Sequence, residues 1–164
     1  MTTTVLTISR LEARHLADLV AQFSELLENA TSAPDAAEAA DDPAVARLTP
    51  TPYPDDDEAA ADFRSATSGD LLDRRSSDAL RVLADLAPAF AEGDDTADPD
   101  DTLPIELDAD AGWAWMRTLT AIRLVIATRL GIADDDDRPE DGDERYAVYD
   151  WIGFRLDGIV NALA

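Results

Sequence analysis

The sequence predicts a mainly helical protein, a bundle of four to five helices with a minor two-stranded β-element. Two observations lead to this fold class. The large apolar residues of the 164-residue chain fall in four blocks, and within the blocks they recur at the three-and-four spacing of a helical face. Prolines, glycines and acidic runs separate the blocks. Because this length is enough for one continuous core, we expect a single domain over residues 1–164.

The N-terminal block predicts a short strand followed by a long helix. Residues 2–8 are rich in β-branched side chains, as is typical of a strand. Ser9 and Glu12 have the spacing of a capping box, so a helix should begin here and reach about Asn29. Small and polar residues then predict a loop over about residues 30–42. The apolar face of the helix comprises Leu16, Leu19, Val20, Phe23, Leu26 and Leu27.

The segment from Asp42 onward combines prolines with charged residues. Asp42 and Pro43 predict the start of a short helix through Arg47. Three prolines over residues 50–54 forbid a helix there. The acids of residues 55–58 suit the first turn of the next helix, where the helix dipole favours negative charge.

That next helix is expected to reach about Ala66 and to break at Ser68-Gly69. Another helix should then run to about Leu86, with Pro88 and Gly93 ending it. Residues 93–102 are expected to form an acidic loop.

The C-terminal half repeats the strand-then-helix order. Alternating residues 103–107 predict a strand that pairs antiparallel with residues 5–8. Asp108 or Asp110 should cap a helix that ends at Leu130, with Gly131 as its C-cap. A second acidic loop over about residues 133–143 precedes a last helix, which should run from about residue 144 to 163.

Composition excludes several classes of function. The net charge is −23, with 36 acids against 13 bases, and every base is an arginine. A polyanion repels phosphate backbones and anionic lipids, so we expect neither nucleic acid nor a membrane as a partner. The N-terminus has no signal-peptide pattern, so a cytoplasmic location is expected. Without lysine or cysteine, a Schiff-base lysine, a thiolate nucleophile and a disulfide are all excluded.

No cofactor, metal site or catalytic constellation is predicted. The single histidine, His15, cannot form a zinc site of normal composition. The aspartate run near Gly142 fails the calcium-loop pattern, because it places Pro139 and Val148 where ligands are required. Whether the chain is an enzyme stays open, and the residues favour a protein that is not one.

Several short motifs together resemble a known family, and they are Arg47-Leu48-x-Pro50, Asp55-Asp56-x-Glu58, Phe63-Arg64, Trp115, Arg123-Leu124, Arg129-Leu130-Gly131 and Tyr149-Asp150-Trp151-Ile152. The chain is similar to an actinobacterial family catalogued as a domain of unknown function, number two thousand and seventeen. The resemblance implies no established activity. It does imply a link to protein turnover, because the family's genes often lie near that of the Clp protease adaptor.

Arg123 is the sharpest single signal in the sequence. It falls within the core-facing stripe of its predicted helix, together with Trp115, Met116, Leu119, Ile122, Ile126 and Leu130. A guanidinium keeps its charge, so we expect a carboxylate beside it, from residues 55–58, Asp150 or Asp157. Such a pair would fix helix register, or the side chain would extend to the edge of the core and keep its charge in water. Alternatively, the arginine would recognise a carboxylate or a peptide terminus.

Two further groups of residues are candidates for function. Arg47, Tyr53 and Arg64 are expected to line one side of a cleft with Arg129, which would suit an anion. Alternatively, they pair with neighbouring acids and hold the proline-rich loop in place. On the last helix, Phe154 points away from the apolar face and Trp151 lies at its flank, so both are candidate interface residues.

Three functions remain open at this point. The first is a non-enzymatic protein-interaction or regulatory module, acting on a protein partner or through self-association. The second is a small-anion or carboxylate-binding protein or enzyme that uses the arginine cluster. The third is a structural homodimer through the last helix.

Overall fold

The computed structural model describes residues 3–91, 98–134 and 142–164. It has the predicted fold class, a bundle of α-helices with a two-stranded sheet. Among these residues, 3-10 turns also occur at Ala87–Phe90 and Glu144–Tyr146. The elements in chain order are β1 (Thr4–Ser9), α1 (Arg10–Thr31), α2 (Ala36–Ala39), α3 (Pro43–Leu48), α4 (Asp57–Leu86), β2 (Thr102–Leu107), α5 (Ala109–Leu130) and α6 (Ala147–Leu163).

The small sheet forms as the sequence predicts. β1 pairs antiparallel with β2, and Leu6 lies opposite Ile105. Ile8 and Leu107 are buried, whereas Val5 and Glu106 face outward. Because two strands alone are marginal in water, the burial of this inner face against the helices stabilises the pair.

The capping box that starts α1 is also present. The Ser9 hydroxyl accepts a hydrogen bond from the Glu12 backbone N–H at 3.1 Å, and the Glu12 carboxylate accepts one from the Ser9 N–H at 3.3 Å. Two more N–H groups of this first turn, those of Arg10 and Leu11, donate to backbone carbonyls of the segment before β2. The apolar face of α1 is buried at Leu16, Val20, Phe23 and Leu27 and half-buried at Leu19 and Leu26.

The predicted break at Ser68-Gly69 is wrong. α4 runs unbroken through both residues, over 30 positions. A glycine inside a helix costs only about 1 kcal/mol relative to alanine. Burial of an apolar face on α4 outweighs that cost. The buried apolar residues C-terminal to the glycine are Leu72, Ala79, Val82 and Leu86.

The three expected loops differ in outcome. Within residues 30–42 the structure places α2, a single helical turn whose N-cap is Asp35, so the expectation of a loop is wrong there. The Asp35 carboxylate accepts from the Glu38 N–H at 2.8 Å, which is enough to start the turn. The other two acidic loops fall largely on residues 92–97 and 135–141, which lie outside the described residues.

α5 is the central helix. Asp108 caps its start, and Gly131 ends it with a φ of 73°, both as predicted. Trp115 is fully buried and its indole N–H donates to Asp85 on α4 at 2.9 Å. α6 begins at Ala147, a few residues later than predicted, because the Glu144–Tyr146 turn precedes it. In the part of the chain that the structure describes, no helix combines the length and apolarity needed to cross a membrane.

The glycines of α4 and α5 give opposite predictions for alanine substitution. A Cβ at Gly69 meets nothing within 4 Å, and the backbone there is helical. Gly69→Ala should therefore raise the free energy of unfolding by about 0.5–1 kcal/mol, measured by urea denaturation. Gly131→Ala is the matched control, because its positive φ disfavours a side chain, and it should lower the stability. A neutral or destabilising Gly69→Ala would contradict the continuous helix.

Candidate functional site

Arg123 is packed into the contact between α5 and α6. Its guanidinium lies over the ring of Tyr149, with the guanidinium carbon 4.1 Å from the ring centroid. One turn further along α6 is Gly153, and a Cβ at that position would lie 3.2 Å from Arg123 Nε. The glycine therefore leaves the space that the guanidinium occupies, and the aromatic face provides cation–π attraction.

The expectation of a carboxylate beside Arg123 is wrong for the described residues. The ion pairs among them do not include Arg123, and its buried Nε has no hydrogen-bond partner. The acids of residues 55–58, Asp150 and Asp157 are all exposed. α6 presents Tyr149 and Gly153 to α5, so its two acids lie on the face that points to solvent.

Arg47 and Arg123 line the same cleft, which lies between α3, α5 and α6. Arg47 Nη1 donates to the Ile132 carbonyl at 3.1 Å and to the Thr128 hydroxyl at 3.3 Å. The cleft has a volume of about 210 Å³. Its other lining residues are Thr120, Leu124, Ala127, Ile132, Ala133, Asp134, Tyr149 and Leu156. We call this the arginine cleft.

The other members of the predicted anion cluster do not line the arginine cleft. Arg64 Nε donates to the Thr49 carbonyl at 3.2 Å, after the end of α3. Tyr53 packs edge-on against Phe63, with ring centroids 6.1 Å apart. Arg129 forms a two-bond ion pair with Asp42, at 2.8 and 2.7 Å. The Arg129 hydrogen bonds are the largest cause of a lowered pKa for Asp42.

Trp151 holds α6 against the start of α1. Its indole N–H donates to Glu12 Oε1 at 3.1 Å, and Arg155 Nη2 donates to the same oxygen. The ring is half-buried and packs on the core. Burial alone would raise the pKa of Glu12, but the hydrogen bonds from Arg155, Trp151 and the Ser9 N–H outweigh it and lower the pKa to about 2.

Phe154 points outward from α6, as the sequence predicts, and 68% of its surface is exposed. Within its own helix, the Arg155 guanidinium lies 5.5 Å from the ring centroid. Of the two candidate interface residues, Phe154 is thus the one that presents an apolar surface to solvent.

A larger groove, which the sequence did not indicate, lies between α4 and α5, with Phe23 of α1 among its lining residues. Its volume is about 750 Å³. The apolar lining comes from Phe23, Leu71, Met116 and Ala121. The polar and charged lining residues are Asp73, Arg74, Arg75, Ser77, Asp78, Arg117, Thr118 and Thr120. We call this the α4–α5 groove.

The polar groups of the α4–α5 groove are held in fixed positions. Arg117 forms a two-bond ion pair with Asp78, at 2.7 and 2.8 Å, which joins the two helices. Arg75 Nη2 donates to the Leu48 carbonyl at 3.3 Å. Burial lowers the pKa of Arg75, and the charge of Asp78 opposes this shift. Thr118 is 2% exposed, and its hydroxyl has no partner among the described residues.

These two concave features have different chemistry. The α4–α5 groove combines apolar walls with a few placed polar groups, the usual composition of a binding groove. The arginine cleft is smaller and holds two cations. Over residues 3–91, 98–134 and 142–164, no three histidine, cysteine or acidic side chains are grouped to hold a metal ion.

The bonds of Glu12 predict a pH-dependent contribution to stability. Its folded-state pKa is about 2, below the ordinary 4.5, so the stabilisation is present above pH 4.5 and disappears as the pH falls towards 2. At pH 7, Glu12→Gln should lose on the order of 1–3 kcal/mol of unfolding free energy, allowing for solvent screening. The difference between wild type and Glu12→Gln should shrink below pH 4.5 in urea titrations.

The matched control is Glu25→Gln, a change of an exposed glutamate on the same helix. It should leave the unfolding free energy within about 0.5 kcal/mol of the wild type. A Glu12→Gln variant as stable as wild type at pH 7 would contradict the role assigned to this carboxylate.

Comparison with known proteins gives a family and no function. A family model described as Domain of unknown function (DUF2017) matches residues 2–163. No curated protein and no solved structure matches the chain. The family match covers nearly every residue, including those of both concave features, and it agrees with the motifs in the sequence. The chain therefore belongs to the DUF2017 family of domains of unknown function.

Proposed function

We propose that the chain is a non-enzymatic, cytoplasmic protein-interaction module, and that its α4–α5 groove binds a basic amphipathic segment of a partner protein. The α4–α5 groove is the observation that carries this proposal. Its volume of about 750 Å³ and its apolar walls suit the side chains on one face of a helix. The polar residues around those walls suit the flanks of such a segment.

Charge complementarity supports a basic partner. The net charge is −23, and the exposed acids of α4 include Asp62, Asp70 and Asp73. Of the three arginines that line the groove, Arg117 pairs with Asp78, whereas Arg75 donates to the neutral Leu48 carbonyl and keeps its charge. The described lining of the groove carries three arginines and two aspartates, so the attraction for a cationic segment comes from the net negative charge of the chain, which also speeds association.

The side chains of the groove favour binding over catalysis. The only histidine of the chain, His15, lies exposed on α1 and does not line the groove, and the chain has no cysteine. The arginines that line it keep their protons and cannot act as a general base. The Clp adaptor is the first partner to test, because the family resemblance implies a link to protein turnover.

A structural homodimer through α6 is the second candidate function. The exposed ring of Phe154 favours it, because an aromatic side chain that projects from a helix is a common anchor at interfaces. The partner would then be a second copy of the chain, bound on a different face from the α4–α5 groove.

Filling the groove with a bulky side chain should weaken partner binding. Ser77 lines the groove and is exposed, so Ser77→Trp adds bulk there without displacing core residues. We expect at least a tenfold loss of affinity for the Clp adaptor, or for another partner with a basic amphipathic segment, measured by calorimetry. Circular dichroism should show an unchanged fold.

Phe154→Asp is the matched control on α6. It should leave the partner's affinity unchanged if the groove is the binding site. A photo-crosslinking side chain at position 77 should give adducts with the partner, and one at position 154 should not. Adducts from position 154 at twice the chain's mass, together with a dimer that Phe154→Asp dissociates, would favour the homodimer. No adduct from position 77 would overturn the groove proposal.

A further inference from the structure

The guanidinium of Arg123 has more hydrogen-bond donors than it has acceptor partners. An arginine carries five N–H groups and does not lose its charge at any physiological pH. Among the described residues, no carboxylate or carbonyl accepts a hydrogen bond from the Arg123 guanidinium, and its Nε is buried. A buried donor without an acceptor is costly, and the cost is larger for a charged group. The arginine beside the cleft therefore has one buried donor, Nε, that lacks an acceptor among the described residues.

The side chain is held in one orientation. The Tyr149 ring supports one face of the guanidinium, and the absence of a Cβ at Gly153 leaves the space in which Nε lies. When a ligand orders a flexible side chain, the loss of side-chain entropy weakens binding. Here the side chain is already ordered in the folded protein, so a ligand would not incur that loss. A guanidinium fixed in this way presents a planar fork that matches the two oxygens of a carboxylate.

A second cation faces the same cleft. Arg47 is anchored by the Ile132 carbonyl and the Thr128 hydroxyl, and it forms no ion pair with a described carboxylate. Asp134 also lines the cleft and has an interaction of its own. Among the described residues, the cleft thus holds two arginines against one acid, which makes it a local positive site in a chain with 36 acids and 13 bases.

The remaining walls select the size and charge of the ligand. Leu124, Ala127 and Leu156 are apolar, and a volume of about 210 Å³ holds a carboxylate with only a short alkyl group. The net charge of −23 repels a dianion more strongly than a monoanion. This disfavours phosphate relative to a singly charged carboxylate.

We propose that the arginine cleft binds a monocarboxylate that carries a short apolar group, with Arg123 as the bidentate contact and Arg47 as the second cation. Two sources supply this chemistry: a free short-chain acid, and the C-terminal residue of a protein chain that ends in an apolar side chain. The proposal is independent of the α4–α5 groove, so either can fail without the other.

The first test uses the wild-type protein and four probes. Isovalerate and acetyl-alanyl-leucine carry the carboxylate, and their amides are neutral controls of the same shape. Titration calorimetry should give a dissociation constant on the order of 1 mM or lower for at least one acid and no binding of either amide. Binding of isovalerate alone identifies a free acid as the ligand. Binding of the peptide acid alone identifies a chain terminus, and binding of both identifies the carboxylate as the recognised group.

The second test assigns the contact to Arg123. The Nε–H resonance of Arg123, observed in the ¹⁵N spectrum of the wild-type protein, should shift on addition of the acid and stay in place with the amide. Arg123→Lys keeps the charge but loses the fork, and it should weaken binding by at least about tenfold, as should Arg123→Met. Arg129→Met is the control, because Arg129 pairs with Asp42 and does not line the cleft.

Several results would overturn the proposal. These are equal binding of acid and amide, no binding of either acid, and an acid-independent Arg123 resonance. A folded Arg123→Lys variant with unchanged affinity would also overturn it. If the substituted proteins do not fold, the wild-type resonance and the comparison of acid with amide still decide the outcome.

Discussion

The fold depends on α5 being packed against neighbours around most of its circumference. α1, α3, α4, α6 and β2 all contact this helix. α5 also forms a wall of both concave features, and Thr120 lines both. The α4–α5 groove and the arginine cleft therefore adjoin at Thr120. The buried residues of α5 are Ala111, Gly112, Ala114, Trp115, Thr118, Leu119, Ala121, Ile122 and Ala127.

Backbone carbonyls, rather than acids, hold many of the arginines. Arg64 and Arg75 donate to the Thr49 and Leu48 carbonyls, where α3 ends. Arg14 donates to the carbonyl of Ala89. The last carbonyls of a helix or turn have no partner within it, and a guanidinium supplies several donors at once. The sequence also allowed the interpretation that the arginines of the predicted cluster hold the proline-rich loop in place. The bond of Arg64 supports this interpretation, although the partner of Arg64 is a carbonyl and not an acid.

Short sequence motifs correctly predicted the helix ends, because a helix end is determined by a few consecutive residues. The capping box at Ser9, the N-cap at Asp108 and the C-cap at Gly131 each depend on a few consecutive residues, and all three are present. The break at Ser68-Gly69 failed because packing along α4 outweighs the local preference of glycine. The α4–α5 groove was not predicted, since Phe23, Leu71 and Met116 come from three helices that only the tertiary fold brings together. The same holds for Tyr149 and Gly153 beside Arg123.

Ionised carboxylates affect the stability of this protein in two opposing ways, and the Glu12→Gln variant distinguishes them. The surface carries many more acids than bases, so protonation of exposed carboxylates relieves repulsion as the pH falls. Glu12 acts in the opposite direction, because its ionised form accepts the bonds that hold Trp151 and Arg155 of α6 to the start of α1. The stability of the wild type against pH reports the sum of both effects. Comparison with Glu12→Gln at each pH isolates the one carboxylate, since the surface repulsion is nearly the same in both proteins. The position of α6, and with it Tyr149 and Gly153 beside Arg123, therefore depends in part on an acid on another helix.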